Sequence, residues 1–257
     1  MRYCAGMSEL RIGISDRDRA AAAVRAAAEL DERLAAIGWT ATWVPYGDGK
    51  RTIDLLASED LHVAATGAIP PLRAQSEGLD IAYLAACTAA ATHARVVVRS
   101  GSTVDRLAAL RGGRVALERG STPTLALAEL LERTGVVAYR DLEPVLLPAP
   151  IARRALLDGH VDAWLDHEAT DPLGAALREL PGAAVAVADR TVWFARRDIT
   201  VSAPGAIAAL AQTLSGIAQP ITRTFLAEQQ RVADLLAGQG AIGLPVHVGA
   251  YAELEAA

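Results

Sequence analysis

Aromatic side chains are scarce: Phe, Trp and Tyr make up 4% of the 257 residues. A lectin-like face or a base-stacking platform needs more rings than that. Positive charge is not in excess either, with 25 Lys and Arg against 30 Asp and Glu and a net charge of −5. No basic stripe runs along the chain, so nothing in its charge calls for nucleic acid. No apolar run approaches the roughly 20 residues that a membrane-spanning helix needs. The opening stretch "MRYCAGMSEL" lacks the apolar central region of a secretory signal, which sets the expectation of a cytoplasmic protein. Two cysteines, Cys4 and Cys87, make no disulfide framework and agree with a reducing compartment. CxxC and HExxH are missing, and His62, His93, His160 and His247 are scattered, so no metal is expected. Phosphate-loop and dinucleotide fingerprints are missing too, because "RGGRV" runs into a strand instead of opening a helix. No cofactor is expected.

The chain is instead rich in apolar residues, at 52% hydrophobic against 21% charged. That supports a sizeable core, as one large domain or two small ones. Short β-branched runs alternate with helical patterns. "LRIGIS" reads as a strand and "RAAAAVRAAAELDERLAAIG" as one long helix stopped by Gly38. "ATWVPY", "LHVAATG" and "LDIAYLAA" are further strands, with helices at "RTIDLLASE" and "IPPLRAQSEG" between them. A second series follows: strands "ARVVVRS", "RVALE", "EPVLLP" and "VDAWLDH", with helices at "TVDRLAALRG", "TPTLALAELLERTG", "IARRALLDG" and "DPLGAALREL". "AAVAVAD" and "TVWFARR" are two more strands ahead of a helical tail from Ser202. This βαβ order predicts an α/β fold with a mostly parallel sheet and helices on both faces. Without a Gly/Ser-rich linker, the organisation predicted is two lobes crossing near Ala90 and Asp189, with residues 9–90 plus 190–257 in one and 91–189 in the other.

The stretch "WVPYGDGKRTIDLLASEDLHVAATGAIPPLRAQSEGLDIAYLA" resembles the first lobe of the solute-binding proteins that feed aliphatic sulfonate, taurine and nitrate ABC importers. "VDRLAALRGGRVALERGSTPTLALAELLERTG" and "EPVLLPAPIARRALLDGHVDAWLDHEATDP" resemble the second lobe in order and spacing. The resemblance runs from about Leu10 to Arg197. It implies a two-lobed type 2 periplasmic-binding-protein-like fold, with mixed sheets, flanking helices and an interlobe ligand cleft. It also implies a receptor for a small organic anion, with an ABC permease as partner if the protein is exported. The chain departs from the family in having "TGA" where many members show Thr-Gly-Asp, and "DHEATDP" where Trp-Asp-Pro is usual.

The candidate site residues lie where strands pass into helices. Gly120, Ser121 and Thr122 open a helix, with Thr122 expected as N-cap and Pro123 at the first helical position. Thr66, Gly67 and Ala68 precede another helix, and free amides at both starts would attract a sulfonate, sulfinate or carboxylate. Ser15, Asp16, Arg17 and Arg19 follow the first strand, where ligands bind in open α/β sheets and arginine can clamp an acid. Cys87 and Thr88 fall at the passage between lobes, and Asp166 and His167 end a second-lobe strand. Each of these also has a plain structural reading as a helix cap, a solvated turn or a buried small side chain. The alternative function is a cytosolic, cofactor-free lyase or hydrolase, desulfinase- or dehydratase-like, recruited from the same fold. Its catalytic candidates are Cys87, His167, Glu168 and Asp16. The missing signal and the charged "DHEATD" stretch favour that alternative.

Overall fold

The computed structural model describes residues 8–15, 19–26, 28–47, 49–135, 137–167 and 172–248. Two compact units emerge. Unit 1 takes the chain up to Thr88, then Arg190–Gln230, and again from Val246 on. Unit 2 takes Ala89–Asp189 and Arg231–Pro245.

Unit 1 is built on three strands that pair in parallel. β1 (Ser8–Ser15) lies between β2 (Trp39–Tyr46) and β3 (Val63–Thr66), with Ile12 opposite both Trp43 and Val63. β8 (Leu177–Arg196) then adds antiparallel to β3, setting Thr66 opposite Val192. β4 (Ile81–Arg99) follows β8 in strand order, and the short β9 (Gln219–Pro220) pairs with it at Ala85 and Ala86. Strands β1 and β3 alternate with helices α1 (Arg19–Ala26), α2 (Glu29–Ala35), α3 (Gly49–Ala57) and α4 (Ile69–Ser76). Leu30 and Leu34 of α2, four residues apart, turn one helical face inward, while Glu29 and Arg33 form an exposed ion pair on another. The apolar cluster joins Leu10, Ile12, Val63 and the fully buried Trp193 to Leu30, Ala206 and Leu210. The last two belong to α8 (Pro204–Leu214), which follows α7 (Arg197–Ser202).

Unit 2 repeats the scheme with β5 (Arg114–Leu117) at its centre. β6 (Glu143–Leu146) and β7 (Ala163–Asp166) flank β5 in parallel, and β4 adds antiparallel to β7 with Val97 opposite Trp164. α5 (Ser121–Thr134) and α6 (Ala149–Leu157) connect these strands, and Val97, Ala116, Ala152, Leu156 and Trp164 form a core cluster. α5 ends at Gly135, whose φ of 63° is the left-handed conformation that closes a helix and costs glycine least.

α9 (Arg223–Gln239) begins in unit 1 and ends in unit 2. At the neck of this detour Gln230 donates to the Val246 carbonyl at 2.8 Å and accepts the Val248 N–H at 2.7 Å. Within unit 2 the detour is held by Arg231 on Glu129 and by Gln239, which meets Glu132 and the Tyr139 N–H.

Four elements differ from the sequence reading. "LDIAYLAA" and "ARVVVRS" are one 19-residue strand, and "AAVAVAD" and "TVWFARR" belong to one 20-residue strand. The helix expected at "DPLGAALREL" is not formed: its last residues open β8. In β8 the buried positions Leu177, Leu180, Ala183 and Val187 are three or four apart, which imitates a helical stripe. Gly182, at φ 69°, is a left-handed residue inside the strand, the kind of irregularity that shifts the inward–outward alternation. "TVDRLAALRG" holds only a 3-10 turn at Leu107–Leu110. α1 and α2 both lie in the long first helix read from the sequence, and Ala27 between them is outside the described residues. The sheets are accordingly mixed rather than mostly parallel, because the two long strands enter antiparallel to β3 and β7.

Candidate functional site

In unit 1 the carboxyl ends of β1, β2 and β3 share one edge, because the three strands are parallel. Ser15 ends β1 there, half-buried. Asp16 and Arg17 lie outside the described residues, and Arg19 opens α1 with a side chain that is also outside them. At the end of β3, Thr66 is 3% exposed, and its hydroxyl donates to the Gly67 carbonyl at 2.9 Å. Ala68 is the residue before α4 and gives it no side-chain cap. The Ala68 carbonyl accepts from buried Gln229 at 2.7 Å. Pro70 and Pro71 occupy the first turn, where their fixed φ suits the helix but neither carries an N–H. α4 therefore offers fewer amides to a ligand than a helix start ordinarily does.

A neighbouring helix start was not singled out in the sequence. α3 begins at Gly49, packed so close to Pro70 that a Cβ there would lie 2.8 Å from the proline ring. Just before it, the Tyr46 hydroxyl donates to the Ala65 carbonyl, tying the ends of β2 and β3 together. On the same unit, a polar pocket of about 180 Å³ is lined by Arg190, Gln219, Thr222, Thr224, Phe225 and Glu228. Arg190 was also missed; the signal available was an Asp-Arg pair interrupting an otherwise apolar strand at the expected crossing point. Cys87 is half-buried at the border of the apolar cluster that contains Leu10 and Trp193. Thr88 ends the unit 1 part of β4, and its side chain is outside the described ones.

In unit 2 the corresponding edge is crowded with ionic groups. Gly120, not Thr122, is the N-cap of α5, and Pro123 is the third helical residue rather than the first. Thr122 instead donates to Asp189 at 2.7 Å, and the Thr124 hydroxyl donates to the Gly120 carbonyl at 2.9 Å. Glycine has no side-chain acceptor, so the hydroxyls that sequence assigns to capping are used elsewhere. Ser121 is half-buried in the first turn. Glu118 follows β5 and accepts the Ala149 N–H at 3.0 Å, placing a carboxylate on the positive end of α6. Its second oxygen lies 3.3 Å from His167 Nε2. Asp166 is 7% exposed and receives two N–H bonds from Arg95 on β4, at 3.0 and 2.9 Å. Asp166 with Arg95 and His167 with Glu118 thus make two contacts at neighbouring positions of the chain, whereas Glu168 lies outside the described residues.

A further charged cluster stands at the amino end of β3. The Arg11 N–H donates to His62 Nδ1 at 3.1 Å, and Arg11 Nη2 lies 3.0 Å from Nε2. Burial, then the cations Arg11 and Arg196, push His62 below the usual histidine range. Among the described residues no group of three or more His, Cys, Asp and Glu could hold a metal ion. No described helix is long and apolar enough to cross a membrane.

The comparisons with known proteins agree on the architecture. A protein assigned as aliphatic sulfonates-binding in Escherichia coli (strain K12) is 30% identical over 123 residues, spanning 48% of this chain and 38% of the relative. The match thus covers well under half of that relative's length. The crystal structure of the periplasmic aliphatic sulphonate binding protein SsuA from Escherichia coli aligns at a TM-score of 0.63 and 22% identity, over 94% of this chain and 91% of that one. The alkanesulfonate-binding protein SsuA from Xanthomonas axonopodis pv. citri, bound to MOPS, aligns at 0.65 and 24% identity, over 95% and 98%. These alignments show the type 2 periplasmic-binding-protein-like fold. The NMT1/THI5 like family model matches residues 38–221, from the start of β2 to just past β9 and through both units, and the chain belongs to that family.

Proposed function

We propose that this chain is a solute-binding receptor for a small organic anion of the sulfonate class. The observation that carries the reading is the 30% identity over 123 residues to the aliphatic sulfonates-binding relative. The geometry adds support in unit 1, where Arg190, two residues before the β8 partner of Thr66, lines a polar pocket. Ser15, Gly120 and Ser121 remain proposed contacts of the same kind, each at or just past the carboxyl end of a strand, whereas the Thr122 hydroxyl is already given to Asp189. The partner that follows from this reading is the permease of an ABC importer.

The test is a thermal-shift and calorimetric titration of the full chain with alkyl sulfonates, alkyl sulfinates and short carboxylates. A ligand at a hundred times its dissociation constant adds about 2.7 kcal/mol, which raises the melting point by several degrees. Mass spectrometry of the same mixtures reads turnover. A shift without product is the expected result. Failure of every probe to shift the protein overturns the reading, and product that vanishes on Cys87→Ala or His167→Ala replaces it with an enzyme.

A further inference from the structure

Strand register fixes where Arg190 stands. Thr66, the last residue of β3, pairs with Val192 of antiparallel β8. Arg190 precedes Val192 by two positions, so it lies beyond the carboxyl end of β3, at the edge that carries Thr66 and Gly67. Its side chain is 19% exposed and lines the pocket of about 180 Å³. The guanidinium carbon stands 5.9 Å from the centroid of the Phe225 ring, a cation–π distance that holds the plane over the aromatic face. Phe225 is itself fixed edge-on against buried Tyr83, with ring centroids 5.8 Å apart. The Phe225 ring thus backs the Arg190 guanidinium on one side.

What engages it is a single carboxylate. Arg190 Nη2 donates to Glu228, and no other acceptor among the described residues meets this guanidinium. A guanidinium carries five N–H donors in a fixed fork, so most of its donors remain for a ligand. Glu228 has a side chain 47% exposed, and a carboxylate facing water is a weakly held counter-ion. The pocket wall adds further polar groups. The Thr222 hydroxyl oxygen accepts the Phe225 N–H at 3.1 Å, which leaves its own proton to give, and Thr224 and Gln219 are exposed beside it. An arginine with open donors, an aromatic floor and hydroxyl donors around a small pocket match a planar or tetrahedral oxyanion on a short organic chain.

We infer that Arg190 is the residue of unit 1 that grips the ligand's oxyanion, displacing Glu228, which serves as its exchangeable counter-ion. The inference rests on the receptor reading and names its charge-recognising group. It makes Glu228 a competitor of the ligand, so removing that carboxylate strengthens binding instead of weakening it.

The experiment is calorimetric titration of the full chain with ethanesulfonate and, separately, with propionate. Wild type, Arg190→Gln, Arg190→Lys and Glu228→Gln are compared at one salt concentration. A lost charge-assisted contact weakens the better probe on the order of tenfold or more in Arg190→Gln. Arg190→Lys keeps the charge but loses the fork and the stack, and falls between. Glu228→Gln binds several-fold tighter. The two probes separate a sulfonate from a carboxylate preference without changing the expectation for the variants. If wild type binds neither probe, the receptor reading falls and this inference with it. If wild type binds and Arg190→Gln binds equally well, this inference alone is overturned. Should Arg190→Gln fail to fold, Glu228→Gln decides: unchanged or weaker affinity there refutes the exchange of counter-ions.

Discussion

The two units end their parallel strands in different chemical states. In unit 1 the α4 start is apolar, with Ala68 before it and Pro70 and Pro71 inside it, and one arginine faces a pocket nearby. In unit 2 the α6 start already holds the Glu118 carboxylate, Thr122 of α5 is spent on Asp189, and Arg95 is spent on Asp166. One edge pairs its arginine with a carboxylate that faces water, and the other pairs its charges out of solvent. The same strand-to-helix pattern thus yields two environments, because the partners that fill or vacate a helix start come from distant parts of the chain. The largest expected effect tests the self-satisfied edge. The Arg95–Asp166 pair has side chains 17% and 10% exposed, so Asp166→Ala leaves a mostly buried cation and costs about 3 kcal/mol. Glu29→Ala breaks the exposed pair with Arg33 and costs less than about 0.5 kcal/mol. Urea unfolding followed by fluorescence compares them. Of the four tryptophans Trp164 alone belongs to unit 2, so Trp164→Phe separates the signals. Equal costs for the two substitutions would remove the contrast between the buried and the exposed pair.

A second substitution addresses the unit 1 edge. Gly49→Ala places a methyl 2.8 Å from the Pro70 ring, and the rigid ring cannot turn away. Overpacking of this kind costs about 1–2 kcal/mol and separates the α3 and α4 starts. Ethanesulfonate affinity falls with it, whereas a variant as tight-binding and stable as wild type would show that the two starts move independently.

The smallest effect is a pH dependence confined to unit 1. His62 is held below its ordinary range by burial first, then by Arg11 and Arg196, with the opposing charges of Glu9 and Asp198 too weak to restore it. The unfolded chain then binds the proton more readily than the folded one, so stability rises with pH through the histidine range. This group's contribution is complete above the unfolded value near 6.5 and is lost as pH falls below it. Melting points between pH 5 and 8 should show the slope, and His62→Gln should flatten it. An identical slope in that variant would assign the dependence elsewhere.

Much of the fold was legible in the sequence because short strands and their helices carry local signals. β1, β2, β3, β5, β6 and β7 lie where alternating or continuous β-branched runs place them, and "IARRALLDG" is α6. The family resemblance was legible for the same reason, since its pieces are contiguous. The long strands were not: β8 carries Leu177, Leu180, Ala183 and Val187 at helical spacing, and ladder pairing overrides the helix propensity of its Ala, Leu and Glu. The site was only partly legible. Thr66–Gly67–Ala68 and Gly120–Ser121–Thr122 do stand at strand-to-helix joins. Glu118 meets Ala149 and His167, and Arg190 meets Glu228, across separations that no local pattern announces.

The clasp at Gln230 has a consequence for how the sequence can vary. One amide side chain grips the chain both where it leaves unit 1 and where it returns at Val246 and Val248. To unit 1, residues 231–245 are an insertion with its ends already stapled. The entropy of closing such a loop changes only slowly with its length. A change of length after α9, between Gln239 and Val246, therefore leaves the flanking register of unit 1 intact so long as residue 230 can both give and accept a hydrogen bond. Exchanges inside the insertion are instead felt in unit 2, where Ala233 and Leu236 are buried and Gln239 meets Glu132.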